Sequence, residues 1–457
     1  MRNFVTAVFL SLSLLSVSPV YASPAADISR NEVVLNFPET VTFKLDVSAT
    51  SEIQSVVLEY GNEQQTCGEV IAKAYPIFTP GTSVSTEWTW EMRQSGSLPP
   101  GSQLWWRWHI TDSSGNETVT AKKTATWLDD TNRWQTVSEG TLYLHWYGKD
   151  RAFAQKMLDA GMEGLDRNEK DAGLTTDAPI NVYVYPNYDD LREAILYESS
   201  WVGGQAFPDE NIVIMGASET DSGWDESTVI HELTHVLVGH LTFSCLSYVP
   251  QWLNEGLAVY SEGPLDPQFK TPLDEAIQDD TLLSVRSISD AFSEVASKAD
   301  LSYAQSYSLT NFLIETYGHE KMTALLIALR DGMTADDALQ RTYGFNIDGL
   351  EDAWRAAIGA EPRTVSAQPT ARPTPTFVPT IVPVSGGSFT GQATTTPIPT
   401  STFGEQPTET PTTERGRPPL WLTLTVLGFC CIFLLVIGVV ALGLVVRSQN
   451  RKGGNNG

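Results

Sequence analysis

The stretch Val229-Ile230-His231-Glu232-Leu233-Thr234-His235-Val236-Leu237-Val238 constrains this chain more than any other. Its two histidines stand four positions apart among aliphatic residues at helical spacing, so a helix here puts both imidazoles on one face. Two imidazoles so placed bind one Zn²⁺ at about 2.0–2.1 Å, and the intervening Glu232 lies beside the open coordination position, where it can take a proton from water. A chain with 6 histidines among 457 residues rarely produces this spacing by chance. The competing reading is an ordinary helix whose histidines are hydrogen-bonded and whose Glu232 is solvated.

A zinc site needs a third protein ligand, and Pro250-Gln251-Trp252-Leu253-Asn254-Glu255-Gly256-Leu257-Ala258-Val259-Tyr260 supplies Glu255. The interval from His235 to Glu255 holds a helix end, a turn and an antiparallel helix opened by Pro250, so Glu255 can face the two histidines. Three ligands with one position left open make a catalytic site. The expected cofactor is one Zn²⁺, with Glu232 as general base toward a polarised carbonyl. Glu262 lies two turns beyond Glu255, where it either accepts the distal N–H of a ligand imidazole or ends the helix in solvent. His240 falls off the metal face, while His109, His145 and His319 fit no ligand pattern and are expected to pack or face solvent.

The pairing of His-Glu-Leu-Thr-His with Trp-Leu-Asn-Glu-Gly-Leu-Ala-Val-Tyr-Ser-Glu resembles the gluzincin zinc metallopeptidases. Aminopeptidase-N-like and thermolysin-like groups belong there, and the chain looks most like the peptidase MA-like domain proteins of bacterial cell surfaces. The resemblance implies zinc ligands at His231, His235 and Glu255, a general base at Glu232, and a peptide or protein substrate. It also implies a hydroxyl donor to the developing oxyanion, at Tyr303 or one turn on at Tyr307. It extends loosely over residues 140–360. The Gly-Ala-Met-Glu-Asn strand of the aminopeptidases is missing, which leaves exopeptidase activity without support. In its place residues 211–216, Asn-Ile-Val-Ile-Met-Gly, are either an edge strand that pairs with substrate or an ordinary sheet strand.

The fold class around this site is multidomain. From residue 31 to 127 the pattern alternates, as in Val41, Phe43, Leu45, Val47 and Leu104, Trp106, Trp108, Ile110, and predicts an all-β sandwich of immunoglobulin or fibronectin type over residues 23–128. Its tryptophans either fill the core or form a contact surface, and no partner for it is legible. Residues 129–360 mix strand and helix periodicity, becoming mainly helical after Pro264, and predict an α+β metallopeptidase domain. Residues 361–419, rich in Pro, Thr and Ser, are expected to form a disordered stalk. Two apolar segments set the compartment: residues 1–22 read as a signal peptide ending at Val20-Tyr21-Ala22, and residues 420–446 run without a charge, long enough for a transmembrane helix. The expected placement is a single-pass membrane protein with its ectodomain outside and residues 447–457 as a cytoplasmic tail. The formal charge of −26 argues against a nucleic-acid partner. Outside the apolar segments stand only Cys67 and Cys245, as an interdomain disulfide or as two free thiols. Two other functions share the same residues: a catalytically idle surface-binding or adhesion protein, and a zinc hydrolase of non-peptide substrates.

Overall fold

Alternating apolar residues over a 23-residue stretch make the longest strand among the described residues, β2 (Thr40–Asn62). The structure is a computed structural model that describes residues 26–363 except 70, 96, 197–202, 219–222 and 294. The expected signal peptide, nearly all of the stalk, the transmembrane segment and the tail lie outside the described residues. Among the described residues no helix is long and apolar enough to cross a membrane.

β2 follows β1 (Ala26–Asn36) and precedes β3 (Ala72–Ala74), β4 (Gly81–Glu91), the short helix α1 (Met92–Ser95), β5 (Gln103–Asp112), β6 (Glu117–Val119) and β7 (Lys123–Thr126). It pairs with β1 up to Ala49 and with β4 up to Ser48 and again at Ile53, and from Ile53 onward with β5 and then β3; the register shifts between Ser48 and Ile53 against β4 and between Ile53 and Ser55 against β5. A bulge of this kind lets one strand turn a corner. The sheet therefore folds over on itself, with Phe43 from the first half of β2 at 5.7 Å from Trp106 and also 5.7 Å from Tyr60, ring to ring. Trp106 and Trp108 are core, and both indole N–H groups donate to Asn31 Oδ1 at 2.8 and 3.2 Å, which satisfies them in the apolar interior. The region is sheet-rich as the alternation predicts. Its seven strands among the described residues join into one sheet through β2.

The second sheet is built from β8 (Gln135–Glu139), β9 (Leu142–Trp146), β10 (Ile180–Tyr185), β11 (Gly204–Phe207) and β12 (Ile212–Gly216), in the order β11-β12-β10-β9-β8. β9, β10 and β12 are parallel, and both edge strands run antiparallel to their neighbours. Between them lie α2 (Arg151–Ala172), α3 (Tyr188–Ala194) and a 3₁₀ turn (Pro208–Glu210). Side-chain alternation divides the two faces. Val182, Val184, Val213 and Met215 face the helical core, whereas Tyr183, Tyr185, Ile212 and Ile214 form a separate cluster against which Phe37 and Leu128 pack.

The helical part consists of α4 (Trp224–Thr242), α5 (Gln251–Glu262), α6 (Pro267–Gln278), α7 (Ala296–Tyr317), α8 (His319–Arg330), α9 (Ala335–Tyr343) and α10 (Ile347–Ile358). Cys67 and Cys245 form a disulfide with a Cα–Cα distance of 5.5 Å, joining the loop after β2 to the loop after α4. This decides between the two readings of the cysteines.

Candidate metal centre

Helix α4 buries Val229, Leu233, Val236 and Leu237 in the core, which leaves His231, Glu232 and His235 on its other side. Thr234 anchors the helix from within: its hydroxyl receives the Asn168 amide at 2.8 Å and shares a 2.6 Å hydrogen bond with Ser261 of α5. α5 runs back along α4, so Glu255 faces both histidines and Glu262, two turns on, reaches His231. Gly256 lets this happen. A Cβ there would stand 2.4 Å from the Ser306 carbonyl oxygen of α7, so only glycine allows α5 to press against α7 beside Glu255.

Glu255 Oε2 lies 3.3 Å from His231 Nε2 and 3.5 Å from His235 Nε2. The three donor atoms all fall within 4.8 Å of one another. Gln251 donates to Glu255 Oε1 at 2.8 Å, whereas Oε2 is buried without a hydrogen-bond partner among the described residues. A buried, orphaned carboxylate oxygen converging with two imidazole nitrogens is the donor set of a three-ligand zinc site, and the residues fit that ion. Although burial alone would raise it, the adjoining imidazoles hold the Glu255 carboxyl well below the usual carboxylate range.

His231 Nδ1 lies 2.8 Å from Glu262 Oε1, so Glu262 orients the first histidine and its solvated alternative falls away. His235 Nδ1 is buried with no such partner among the described residues. Glu232 is buried, and that burial raises its carboxyl above the ordinary value despite the neighbouring histidines.

A cavity of about 770 Å³ opens over the site, lined by Gly204 and Gln205 of β11, Thr228 and Glu232 of α4, Phe269 of α6 and Tyr303 of α7. The ring of Tyr303 is 6.4 Å from that of His231, centroid to centroid, and packs against Phe269 and Phe292. Burial, with Glu255 and Glu232 adding repulsion, pushes its phenol well up, so it keeps its proton. Tyr307 instead faces Tyr260 and lies outside the cavity wall. Of the two candidate donors the structure brings Tyr303 to the site.

Residues 211–216 do not form the sheet edge. β12 is paired on both sides, by β10 and β11, and the edge belongs to β11. Gly204 of this strand rides directly on helix α4: a Cβ there would come within 2.9 Å of Glu232 Cγ and 3.0 Å of Thr228 Cγ2. The sequence hid β11 because Gly203-Gly204-Gln205-Ala206-Phe207 has no alternation; its Gly-Gly pair was the one available signal of close backbone approach. His240 contacts Thr176 at 2.9 Å, His145 contacts Thr136 and Asn181, and His109 contacts Glu59 and Glu117, all away from the metal site as expected.

Residues 160–360 match the Peptidase MA superfamily. Nothing among curated protein sequences matches the chain. Among solved structures, an M1 zinc metallopeptidase from Deinococcus radiodurans is similar at 13% identity, covering 75% of this chain and 95% of that one with a TM-score of 0.33. An aminopeptidase N family protein from Idiomarina loihiensis is similar at 12% identity, covering 72% and 76% with a TM-score of 0.35.

Proposed function

We propose that this chain, whose residues 160–360 match the Peptidase MA superfamily, is a membrane-anchored, extracytoplasmic zinc metallopeptidase that hydrolyses peptide bonds with Glu232 as general base. The observation that carries the reading is the convergence of Glu255 Oε2 on His231 Nε2 and His235 Nε2 at 3.3 and 3.5 Å. Zinc bound there would supply Lewis-acid polarisation and an acidified water.

The remaining chemistry belongs to the chain. Glu232, with its carboxyl raised by burial, is suited to take a proton at its Oε atoms and pass it to the leaving amine. Tyr303, kept protonated by burial, is placed to donate its O–H to the carbonyl oxygen as charge grows there. β11 is an edge strand in the cavity wall, and an extended peptide can add to it through backbone hydrogen bonds. Glu262 holds the His231 ring in orientation.

The placement outside the cytoplasm rests on the apolar segments at 1–22 and 420–446, and the Cys67–Cys245 disulfide supports it, since such bonds persist in oxidising compartments. Residues 23–128 and 129–360 are the two domains of this ectodomain, and 361–419 the stalk that spaces them from the bilayer.

Elemental analysis of the purified chain should return one zinc per molecule. Glu232→Gln should retain that zinc and lose peptide cleavage by at least about a hundredfold, the scale of general base catalysis. Retained zinc with no cleavage of a mixed peptide library by the unmodified chain, and no change in Glu232→Gln, would sink the peptidase reading in favour of an idle binding protein.

A further inference from the structure

Apart from Glu255, Glu262 and Glu232, the described residues of the cavity wall carry one acidic group, Asp300. Asp300 lines the cavity from α7, one turn before Tyr303, which puts their Cβ atoms roughly 5–6 Å apart. It makes no hydrogen bond or ion pair with any described residue, in contrast to Glu255 and Glu262. Among the described residues no lysine or arginine lines the cavity, and the neighbouring Lys298 is exposed and lies outside the wall. The same cavity wall carries apolar side chains, among them Phe269, Val259 and Ala299 next to Asp300 in sequence, and Phe269 and Phe292 pack on Tyr303, the latter edge-on at 5.2 Å.

An apolar wall ending in an unpaired, half-buried carboxylate matches one class of substrate group. A long aliphatic stem lies along apolar surface while its cationic head meets the acid. The carboxylate loses hydration in the cavity, and a cation recovers it. We propose that Asp300 is a specificity-determining residue that takes a positively charged group of the peptide, either a Lys or Arg side chain beside the scissile bond or a free terminal ammonium. The chain's formal charge of −26 adds long-range attraction for such substrates. This deepens the peptidase reading and rests on it.

The test uses the zinc-loaded full-length chain and matched peptides differing only in Lys, Arg, Gln or Glu at one position, each N-acetylated and free. The expected result is about a tenfold higher kcat/KM for Lys and Arg than for Gln in acetylated peptides, a ratio that falls toward one in Asp300→Asn, survives in Asp300→Glu, and tips toward Glu peptides in Asp300→Arg. Faster cleavage of each free peptide than of its acetylated twin, whichever side chain it carries, with that gain lost in Asp300→Asn, assigns the cation to the terminal ammonium instead. Equal rates for all four acetylated peptides with no gain from a free amino terminus, or a preference that persists in Asp300→Asn with unchanged zinc content, overturn the proposal. If no peptide is cut, the peptidase reading fails, and equilibrium binding decides the subsite on its own. Tighter binding of Lys than Gln peptides to Glu232→Gln then upholds it, and equal binding overturns it.

Discussion

Single side chains set the metal site's affinity and the acid stability of the N-terminal sheet. Glu262 holds His231 through a 2.8 Å contact to Nδ1 and so leaves Nε2 turned toward Glu255. Glu262→Ala should therefore weaken zinc binding about 10–100-fold, read by competition with a chromophoric chelator, with the unfolding profile little changed. Glu59 plays a different part in the first sheet. It is buried, and although burial raises its pKa, Lys73, Arg107 and His109 at 2.9, 2.6 and 3.0 Å hold it down to about 2. The folded state thus binds this proton more weakly than the unfolded chain does. The resulting stabilisation is complete above the ordinary carboxylate range and is lost as pH falls toward 2. Urea unfolding at pH 6 and pH 3 should show a loss on the order of 2 kcal/mol from this residue, and Glu59→Gln should flatten that difference.

Elements matter where one backbone rests on another. β11 lies against α4 so closely that Gly204 has no room for a side chain, and Glu232 is the atom group it would strike. Gly204→Val should shift the strand or the general base; the expected outcome is a rise in KM for extended peptides and a fall in kcat of tenfold or more, with zinc still bound. Unchanged kinetics would mean that the strand does not position substrate. The same closeness explains why sequence reading passed the strand by. Periodicity reports which face of an element is buried, and a four-residue edge strand whose value lies in its bare backbone carries no such period.

At the scale of the whole molecule, the first sheet is tied to the catalytic helices. The Cys67–Cys245 bridge spans 178 residues of sequence, Gln65 N donates to the Asp209 carbonyl at 2.7 Å, and Ser102 Oγ donates to Glu210 at 2.5 Å, all close to the 3₁₀ turn that follows β11. Closing so long a loop restricts the unfolded chain by on the order of 5 kcal/mol in the chain-entropy account. Cys67→Ser should accordingly lower the melting temperature by several degrees or more, and reduction of the unmodified protein should lower it by a similar amount. An unchanged melting curve would show the bridge to be dispensable.

The sequence by itself determined that His231, Glu232 and His235 share one turn of one helix, a local geometry that spacing specifies. Glu255 followed because the next helix had to bring one acid back to them. It also determined that a strand-rich region precedes a mixed and then helical one, since period two and period 3.6 are read without knowing what packs where. Tertiary structure alone decided the rest: that Glu262 meets His231, that Tyr303 and not Tyr307 enters the cavity, that β11 and not β12 is the edge, that Asp300 stands unpaired in the wall, and that Cys67 meets Cys245. Each of these depends on the approach of segments distant along the chain, which is set by how whole faces pack and leaves no periodic trace in the residues themselves.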